Sequence, residues 1–287
     1  MADLTDTLAD DVAELLHRAA ADVVLPLFQR LDDADVTEKA PGELVTVADQ
    51  RAEELISAGL LRLRPGSVVV GEEAVADDPA LLGHLRGGGY DGGGHLRGGR
   101  DGGGDVWLVD PVDGTANFAA GKRPFALMVA LLTGGEQVGA WVLDPLAGTL
   151  AIARAGAGTT VNGEPVRAAD GVPPLGALRG TAMTQFLPPK LRRRAEAGGE
   201  RIGELLPGQH CAGREYLDVL VGTQEFVLFW RTLPWDHAPG ALLVREAGGV
   251  ARRFDGSDYH PADDAPGLLV AVNERVWAEA REALILG

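Results

Sequence analysis

Two short apolar segments, each followed at once by an acidic turn that contains glycine, constrain the fold of this chain most. Residues 68–70 and 106–109 have the length and the valine content of buried β-strands. Glu72 and Glu73 follow the first segment, and Asp110 follows the second. Both predicted strand ends therefore deliver carboxylates.

The flanking parts of the chain have helical patterns. Apolar residues at steps of three and four from Leu4 to Val23 predict a long amphipathic opening helix. A second helix is predicted from about Gln50 to Leu63, with Asp49 at its N-cap, after a loop over residues 37–43. A closing amphipathic helix is predicted over residues 274–285.

Short strands are predicted in the middle of the chain. Residues 126–132 and 138–143 flank a turn-rich gap and predict a hairpin, and Asn162-Gly163 is typical of a type I′ turn. These patterns predict an α+β or layered α/β/α fold. We expect one compact unit with an N-terminal α+β part over residues 1–143 and a C-terminal α/β part over residues 144–287.

A local duplication rich in glycine covers residues 84–104, where HLRGGGYDGGG is followed by HLRGGRDGGG. Ordering so much glycine costs backbone entropy, and few apolar side chains are present to offset that cost. We therefore predict a mobile surface loop. A calcium-binding glycine-aspartate repeat is the weaker alternative, because two imperfect copies fall short of the several regular repeats that such folds need.

The composition narrows the functional classes. The net charge of -16, from 26 Lys plus Arg against 42 Asp plus Glu, disfavours a nucleic-acid partner and suits cation binding. The single Cys211 excludes an intrachain disulfide and any multi-cysteine zinc site. The acidic N-terminus has no signal-peptide pattern, and no apolar run is long enough to span a bilayer. We expect a cytoplasmic protein with no membrane partner.

The segment WLVDPVDGTANF, residues 107–118, is the most informative motif. Asp110 and Asp113 lie three residues apart on a turn stiffened by Pro111, so both can face one point beyond the strand end. Carboxylate oxygens are the ligands that Mg²⁺ prefers. Gly114 and Thr115 add backbone N–H groups and a hydroxyl that could bind phosphate. The alternative is an ordinary turn, since Asp-Pro and Asp-Gly are common turn formers.

Two further acidic sites belong to the same pattern. Glu72 and Glu73 close the first predicted strand, although paired glutamates are usually solvated surface residues. Asp236 is expected to precede a helix that begins at Pro239 and ends at Gly248-Gly249, where a capping role is the alternative.

Three of these motifs together resemble the signature set of the inositol monophosphatase family. They are GEE from Gly71, DPVDGTANF from Asp110 and PWDHAPG from Pro234, in this order along nearly the whole chain. The resemblance implies a layered α/β/α/β/α sandwich of the inositol monophosphatase and fructose bisphosphatase type. It also implies a homodimer that hydrolyses a small phosphomonoester, inositol monophosphate or a related sugar or polyol phosphate, with a water activated by metal.

The resemblance also implies roles for individual residues. Two or three Mg²⁺ ions would be bound by Glu72, Asp110, the backbone carbonyl of Val112, Asp113 and Asp236. Asp110 would bridge the ions, and Glu73 would support them. Asp49, in the matching TVAD segment, would pair with the Thr115 hydroxyl to orient the attacking water. Lys39 and Gly114 would approach the phosphate.

The expected substrate pocket departs from the family pattern. Phe229 lies seven positions before Asp236, where inositol-specific members have an acidic residue. Gly213, Arg214 and Glu215 fall where the family usually has small residues, and we expect them to shape the pocket for another leaving group. Fructose-1,6-bisphosphatase, histidinol-phosphatase and 3′-phosphoadenosine phosphatase activities therefore stay open. A regulatory binding protein that retains the fold is the alternative from another class.

Overall fold

The computed structural model describes residues 4–40, 43–86, 89–90, 96–97, 104–168 and 171–287. The strands pair into two larger and two smaller sheets. The strands are β1 (Val36–Ala40), β2 (Glu43–Thr46), β3 (Val68–Gly71), β4 (Gly89–Tyr90), β5 (Leu96–Arg97), β6 (Asp105–Asp113), β7 (Ala126–Thr133), β8 (Glu136–Asp144), β9 (Thr149–Arg154), β10 (Gly158–Val161), β11 (Glu164–Val166), β12 (Arg179–Ala182), β13 (Glu204–Leu206), β14 (Phe226–Phe229), β15 (Val250–Arg253) and β16 (Leu268–Ala271).

The α-helices lie between groups of these strands. They are α1 (Asp6–Ala19), α2 (Leu25–Leu27), α3 (Val47–Leu63), α4 (Glu72–Asp77), α5 (Thr115–Ala119), α6 (Pro189–Gly199), α7 (Ala212–Leu220), α8 (Pro234–Glu246) and α9 (Glu274–Arg281). A π-helical turn, Ala20–Val24, joins α1 to α2, and a second, Glu282–Leu286, extends α9. The predicted opening and closing helices are therefore confirmed.

Two larger sheets form the framework. The first runs in the order β11-β10-β9-β8-β7-β6-β3, and the second runs β13-β12-β14-β16-β15. The predicted hairpin is β7 and β8, which pair antiparallel, and Asn162 and Gly163 form the predicted turn between β10 and β11 with positive φ angles of 50° and 82°.

Both faces of the first sheet are buried. On one face, Trp107, Val109 and Leu127 join α1 and α3 in one core cluster. On the other, Leu108 and Met128 join α7, α8 and the second sheet in a second cluster, whose far side α9 covers. The order of layers is thus helix, sheet, helix, sheet, helix, and the predicted α/β/α/β/α sandwich is confirmed.

Three local predictions were wrong. Asp49 is not an N-cap: Thr46 caps α3, because its hydroxyl accepts a hydrogen bond from the Ala48 N–H, and Asp49 lies at the third helical position. The helix that carries Asp236 begins at Pro234, so Asp236 lies in its first turn and Pro239 lies inside it. The predicted loop over residues 37–43 contributes instead to the hairpin of β1 and β2, held by antiparallel pairing.

The predicted glycine-rich loop, residues 84–104, lies mostly outside the described residues. Its first residues, up to Arg86, end the 3₁₀ helix Pro79–Arg86, and β4 and β5 form a short antiparallel pair. The mobility of the remainder stays a prediction. Among the described residues, no helix combines the length and apolarity needed to cross a membrane.

Candidate active site

The parallel pairing of β3 with β6 brings the first two acidic motifs together. Gly71 lies beside Val109 in this register, so both strands end at the same edge of the sheet. Glu72 opens α4 directly after β3, while Asp110 lies where the pairing of β6 with β7 becomes irregular. The Val112 N–H donates to Asp110 Oδ1 at 3.1 Å and closes this turn. The strand ends therefore deliver their carboxylates to one place, as the sequence predicted.

These carboxylates line one cavity of about 410 Å³. Most of the predicted site residues contribute to its wall, namely Lys39, Glu72, Asp110, Val112, Asp113, Gly114, Thr115, Glu215 and Asp236. Six elements supply them, which are β1, the first residue of α4, the end of β6, the start of α5, α7 and the first turn of α8.

Asp113 is fixed by the first turn of α7. The N–H groups of Ala212 and Gly213 donate to its carboxylate at 3.1 and 2.6 Å, and the Cys211 thiol donates at 3.1 Å. Burial raises the pKa of Asp113, and these hydrogen bonds oppose that rise. Gly114 lies in the left-handed region at φ +91°, where a Cβ atom would crowd Cys211. Cys211 is therefore part of the site wall, a contact that the sequence reasoning missed.

Asp49 and Thr115 are in hydrogen-bond contact. Asp49 is fully buried, and its Oδ2 accepts from the backbone N–H and the hydroxyl of Thr46 at 2.8 and 2.5 Å. Its Oδ1 lies 3.0 Å from Thr115 Oγ1, which also lies 3.0 Å from the Val112 carbonyl oxygen. Burial raises the pKa of Asp49, although hydrogen bonds from Thr46 and Thr115 lower it. The capping box of α3 therefore aims one carboxylate oxygen at Thr115.

Lys39 reaches the site from the hairpin of β1 and β2. Its Nζ lies 2.5 Å from Glu73 Oε1 and 3.7 Å from Glu72 Oε1. Burial lowers the pKa of Lys39, but the hydrogen bond to Glu73 and the charges of both glutamates outweigh it and raise the pKa overall. Glu53 anchors the same turn, since it accepts hydrogen bonds from the Glu73 and Ala74 N–H groups at 2.8 Å.

The first turn of α8 is locked by His237. Its Nε2 lies 2.9 Å from the Arg231 carbonyl, which can only accept, so Nε2 carries the proton. Nδ1 must then accept from the Tyr216 hydroxyl, 3.0 Å away. Burial lowers the pKa of His237 to about 3, so the ring is neutral. This buried contact fixes the neighbouring Asp236 at the cavity.

The four clustered carboxylates repel one another. Burial raises the pKa of Asp110 and Asp236 well above the usual range, and the charges of Glu72 and Asp113 raise it further. Burial together with the charges of Glu73, Asp49 and Asp113 raises the pKa of Glu72 to about 8, against the opposing charge of Lys39. Such a concentration of hard oxygen donors with little positive charge fits a divalent cation by donor type and by charge.

The spacing of these groups is wider than coordination requires. Among the residues that the structure describes, no three His, Cys, Asp or Glu side chains are close enough to hold one ion as they stand. The Asp113 oxygens already accept hydrogen bonds from α7, and Lys39 lies against Glu72. Binding an ion at several carboxylates would therefore require side chains to rotate away from these contacts.

The predicted pocket residues have mixed placements. Arg214 does not line the cavity, because its guanidinium pairs with Asp144 at 3.4 Å and Asp218 at 2.5 Å. Gly213 contributes its N–H to Asp113. Glu215 is fully buried and accepts hydrogen bonds from the Gln209 N–H and from Gln224, at 2.8 and 2.7 Å.

Several residues of the cavity wall carry no sequence signal that would have marked them. Arg231 pairs with Glu43 at 2.5 Å and lies over the Phe186 ring, and all three line the cavity. His210 also lines it, in a left-handed conformation at φ +54° that non-glycine residues adopt uncommonly. Only the folded chain brings these distant positions together.

Comparison with known proteins agrees with this architecture. The Inositol monophosphatase family matches residues 7–285. The "Nus factor SuhB" of Pseudomonas aeruginosa is 32% identical over 254 residues, with 86% of each chain covered. The "Inositol-1-monophosphatase" of Rhizobium meliloti is 31% identical over 266 residues, covering 90% of this chain and 88% of that protein.

Solved structures give the same answer for the fold. The native extragenic suppressor protein suhB of Bartonella henselae superposes with a TM-score of 0.79 at 22% identity, covering 98% of this chain and all of that one. Because the family match spans nearly the whole chain and the carboxylates of all three motifs line one cavity, the protein belongs to the inositol monophosphatase family.

Proposed function

We propose that the protein is a Mg²⁺-dependent phosphatase that hydrolyses a small phosphomonoester. The observation that carries this proposal is the convergence of Glu72, Asp110, Asp113 and Asp236 on the cavity that also contains Thr115. Family membership and the name of the Rhizobium relative support it. The same four carboxylates and the Val112 carbonyl would hold two or three Mg²⁺ ions, which would lower the pKa of water and offset phosphate charge.

The chain itself supplies the orientation of the attacking water. If the Thr115 hydroxyl donates its hydrogen bond to Asp49 Oδ1, the lone pairs of Thr115 Oγ1 are left to accept a hydrogen bond from the attacking water. As Thr115 Oγ1 takes the proton of that water, its own hydroxyl proton would pass to the Asp49 carboxylate. The Val112 carbonyl competes for the same hydroxyl proton at 3.0 Å. If the Val112 carbonyl bound Mg²⁺ instead, the Thr115 hydroxyl would donate its hydrogen bond to Asp49. Lys39 and the N–H groups of Gly114 and Thr115 would face the phosphate, and Glu73 would hold Lys39 in place.

The test is phosphate release by the purified protein with and without Mg²⁺. The Asp110→Asn variant keeps the size of the side chain but removes the charge at the centre of the cluster, and we expect it to lose Mg²⁺-dependent turnover while it keeps its circular dichroism spectrum. Chelation of the metal should abolish the wild-type activity, and added Mg²⁺ should restore it. Unchanged turnover in Asp110→Asn would refute the proposed mechanism.

The cavity wall favours a substrate with an apolar face. Phe229 is 5% exposed and stacks on Tyr216 with 5.4 Å between ring centroids, so it offers no polar group to a cyclitol hydroxyl. Phe186 and Trp230 line the same cavity. Aromatic rings of this kind stack on other flat rings, including nucleobases. We therefore place nucleotide monophosphates and histidinol phosphate ahead of inositol monophosphate, with fructose 1,6-bisphosphate as a further candidate.

A substrate panel decides among these compounds. Phosphate release from inositol 1-phosphate, fructose 1,6-bisphosphate, histidinol phosphate and 3′-phosphoadenosine 5′-phosphate is compared by kcat/KM. A clear preference for inositol 1-phosphate would contradict the inference that the substrate has an apolar face. The Phe229→Glu variant should shift the ratio toward inositol 1-phosphate.

The name of the Pseudomonas relative, a Nus factor, favours a second candidate function as a regulatory binding protein. A binding role would depend on a surface and not on the carboxylates. If the protein acts by binding, the Asp110→Asn variant should still bind its partner. If its role needs catalysis, the same variant should lose that role. The homodimer implied by the family is checked separately by light scattering.

A further inference from the structure

A cluster of cations lies away from the acidic cavity, on helix α6. Lys190, Arg193, Arg194 and Arg201 recur at steps of three, four and seven or eight residues, so they project from one side of the helix and of the turn that follows it. Together with Ala197, Gly198, Ala283 and Gly287 they line a cavity of about 380 Å³, which we call the basic groove.

The floor of the basic groove depends on a close approach of two backbones. A Cβ atom on Gly198 would lie 1.8 Å from the Ala283 carbonyl oxygen, so only glycine fits where α6 meets the π-helical turn after α9. Arg194 reinforces this contact, because its guanidinium donates to the Ile285 carbonyl at 3.1 Å. The groove is therefore a built feature of the packing between α6 and the turn Glu282–Leu286.

None of the residues that line the groove has an acidic side chain. Lys190, Arg193 and Arg201 are exposed and, within the part of the chain that the structure describes, have no carboxylate partner. Glu196 on α6 and Glu200 directly after it do not line the groove. In a chain of net charge -16, three unpaired cations around one concave surface attract anions locally.

We propose that the basic groove binds a compact ligand that carries several phosphate groups. Lys190 lies in the first turn of α6 and Arg201 lies beyond its last residue, so the cations are at opposite ends of an 11-residue helix that is about 16 Å long at about 1.5 Å per residue. One phosphate cannot reach all of these cations, whereas a ligand with several can, and arginine binds phosphate through paired N–H groups. The overall negative charge repels an extended polyanion such as RNA beyond the groove, which favours a small molecule.

The test uses tripolyphosphate as the probe, titrated into the full-length protein without divalent ions and followed by calorimetry. The variant Lys190→Gln/Arg193→Gln/Arg201→Gln removes the unpaired cations and leaves Arg194 in place to hold the fold. The control Arg18→Gln/Arg30→Gln/Arg62→Gln removes the same charge from exposed positions elsewhere. We expect at least tenfold weaker binding in the groove variant, little change in the control, and weaker binding of inorganic phosphate to the wild type.

Three results would overturn the proposal. The first is no measurable binding of tripolyphosphate by the wild type. The second is an equal loss in both variants, which would reflect net charge alone. The third is tighter groove-dependent binding of a short RNA than of tripolyphosphate, which would replace the compact ligand by a nucleic acid. Thermal melting of each variant verifies that it is folded, and phosphatase activity does not enter the readout.

Discussion

At the scale of single residues, the site depends on how one proton is shared. Thr115 has one hydroxyl proton and two acceptors at 3.0 Å, Asp49 Oδ1 and the Val112 carbonyl. The remaining oxygen of Asp49 is already saturated by Thr46. Asp49 Oδ1 is thus held so that it can accept a hydrogen bond from Thr115. We therefore expect removal of the Thr115 hydroxyl to lower turnover more selectively than other changes in the site.

We expect Thr115→Ala to lower kcat by about 10²-fold or more, the range typical of a positioned proton acceptor. KM should change much less, because the groups that bind phosphate remain. Thr115→Ser keeps the hydroxyl and should retain most of the activity. Steady-state kinetics of both variants measure the effect, and equal kcat values for alanine and serine would show that the hydroxyl has no part in the reaction.

Sequence reasoning was strongest for residues that lie next to a strand end. Glu72, Asp110 and Asp113 were predicted to share a site because their position follows from β3 and β6, and the structure brings them to one cavity. Sequence reasoning was weakest for residues whose position depends on contacts with residues that are far away along the chain. Arg214 was expected in the pocket but pairs with Asp144 and Asp218, and His210 and Arg231 gave no signal because only tertiary contacts bring them to the cavity.

At the scale of elements, the start of α3 links stability to the site. The Thr46 hydroxyl accepts from the Ala48 N–H and donates to Asp49, so one side chain both caps the helix and orients the carboxylate. The sequence predicted this helix but placed Asp49 at the cap. Either residue type can cap a helix, and only the backbone geometry decides between them.

We expect Thr46→Ala to lower the free energy of unfolding by about 1 kcal/mol, the usual value for a lost N-cap. It should also reduce kcat, because Asp49 loses a hydrogen bond and a fixed direction. Thr46→Ser retains the hydroxyl and is the matched control. Urea denaturation and kinetics on the same samples test both effects, and a stable, fully active Thr46→Ala would contradict the linkage.

At the scale of the whole molecule, the glycine-rich duplication is predicted to be dispensable for folding. Replacing residues 87–103 by a short glycine-serine linker should change the free energy of unfolding by less than about 1 kcal/mol, since the cost of loop closure grows slowly with length. Arg86, which pairs with Asp264, is kept. Thermal melting measures the change, and a large drop in Tm would mean that the segment packs on the fold.

The first sheet has a consequence for how the protein unfolds. Its alternate side chains belong to two different core clusters, one with α1 and α3 and the other with α7, α8 and the second sheet. A fragment of residues 1–143 would therefore carry a sheet with one bare apolar face. The buried residues of the cluster with α1 and α3 all lie within residues 4–143, whereas the other cluster draws residues from both halves of the chain. We therefore expect the C-terminal part to lose its core when the first sheet is removed.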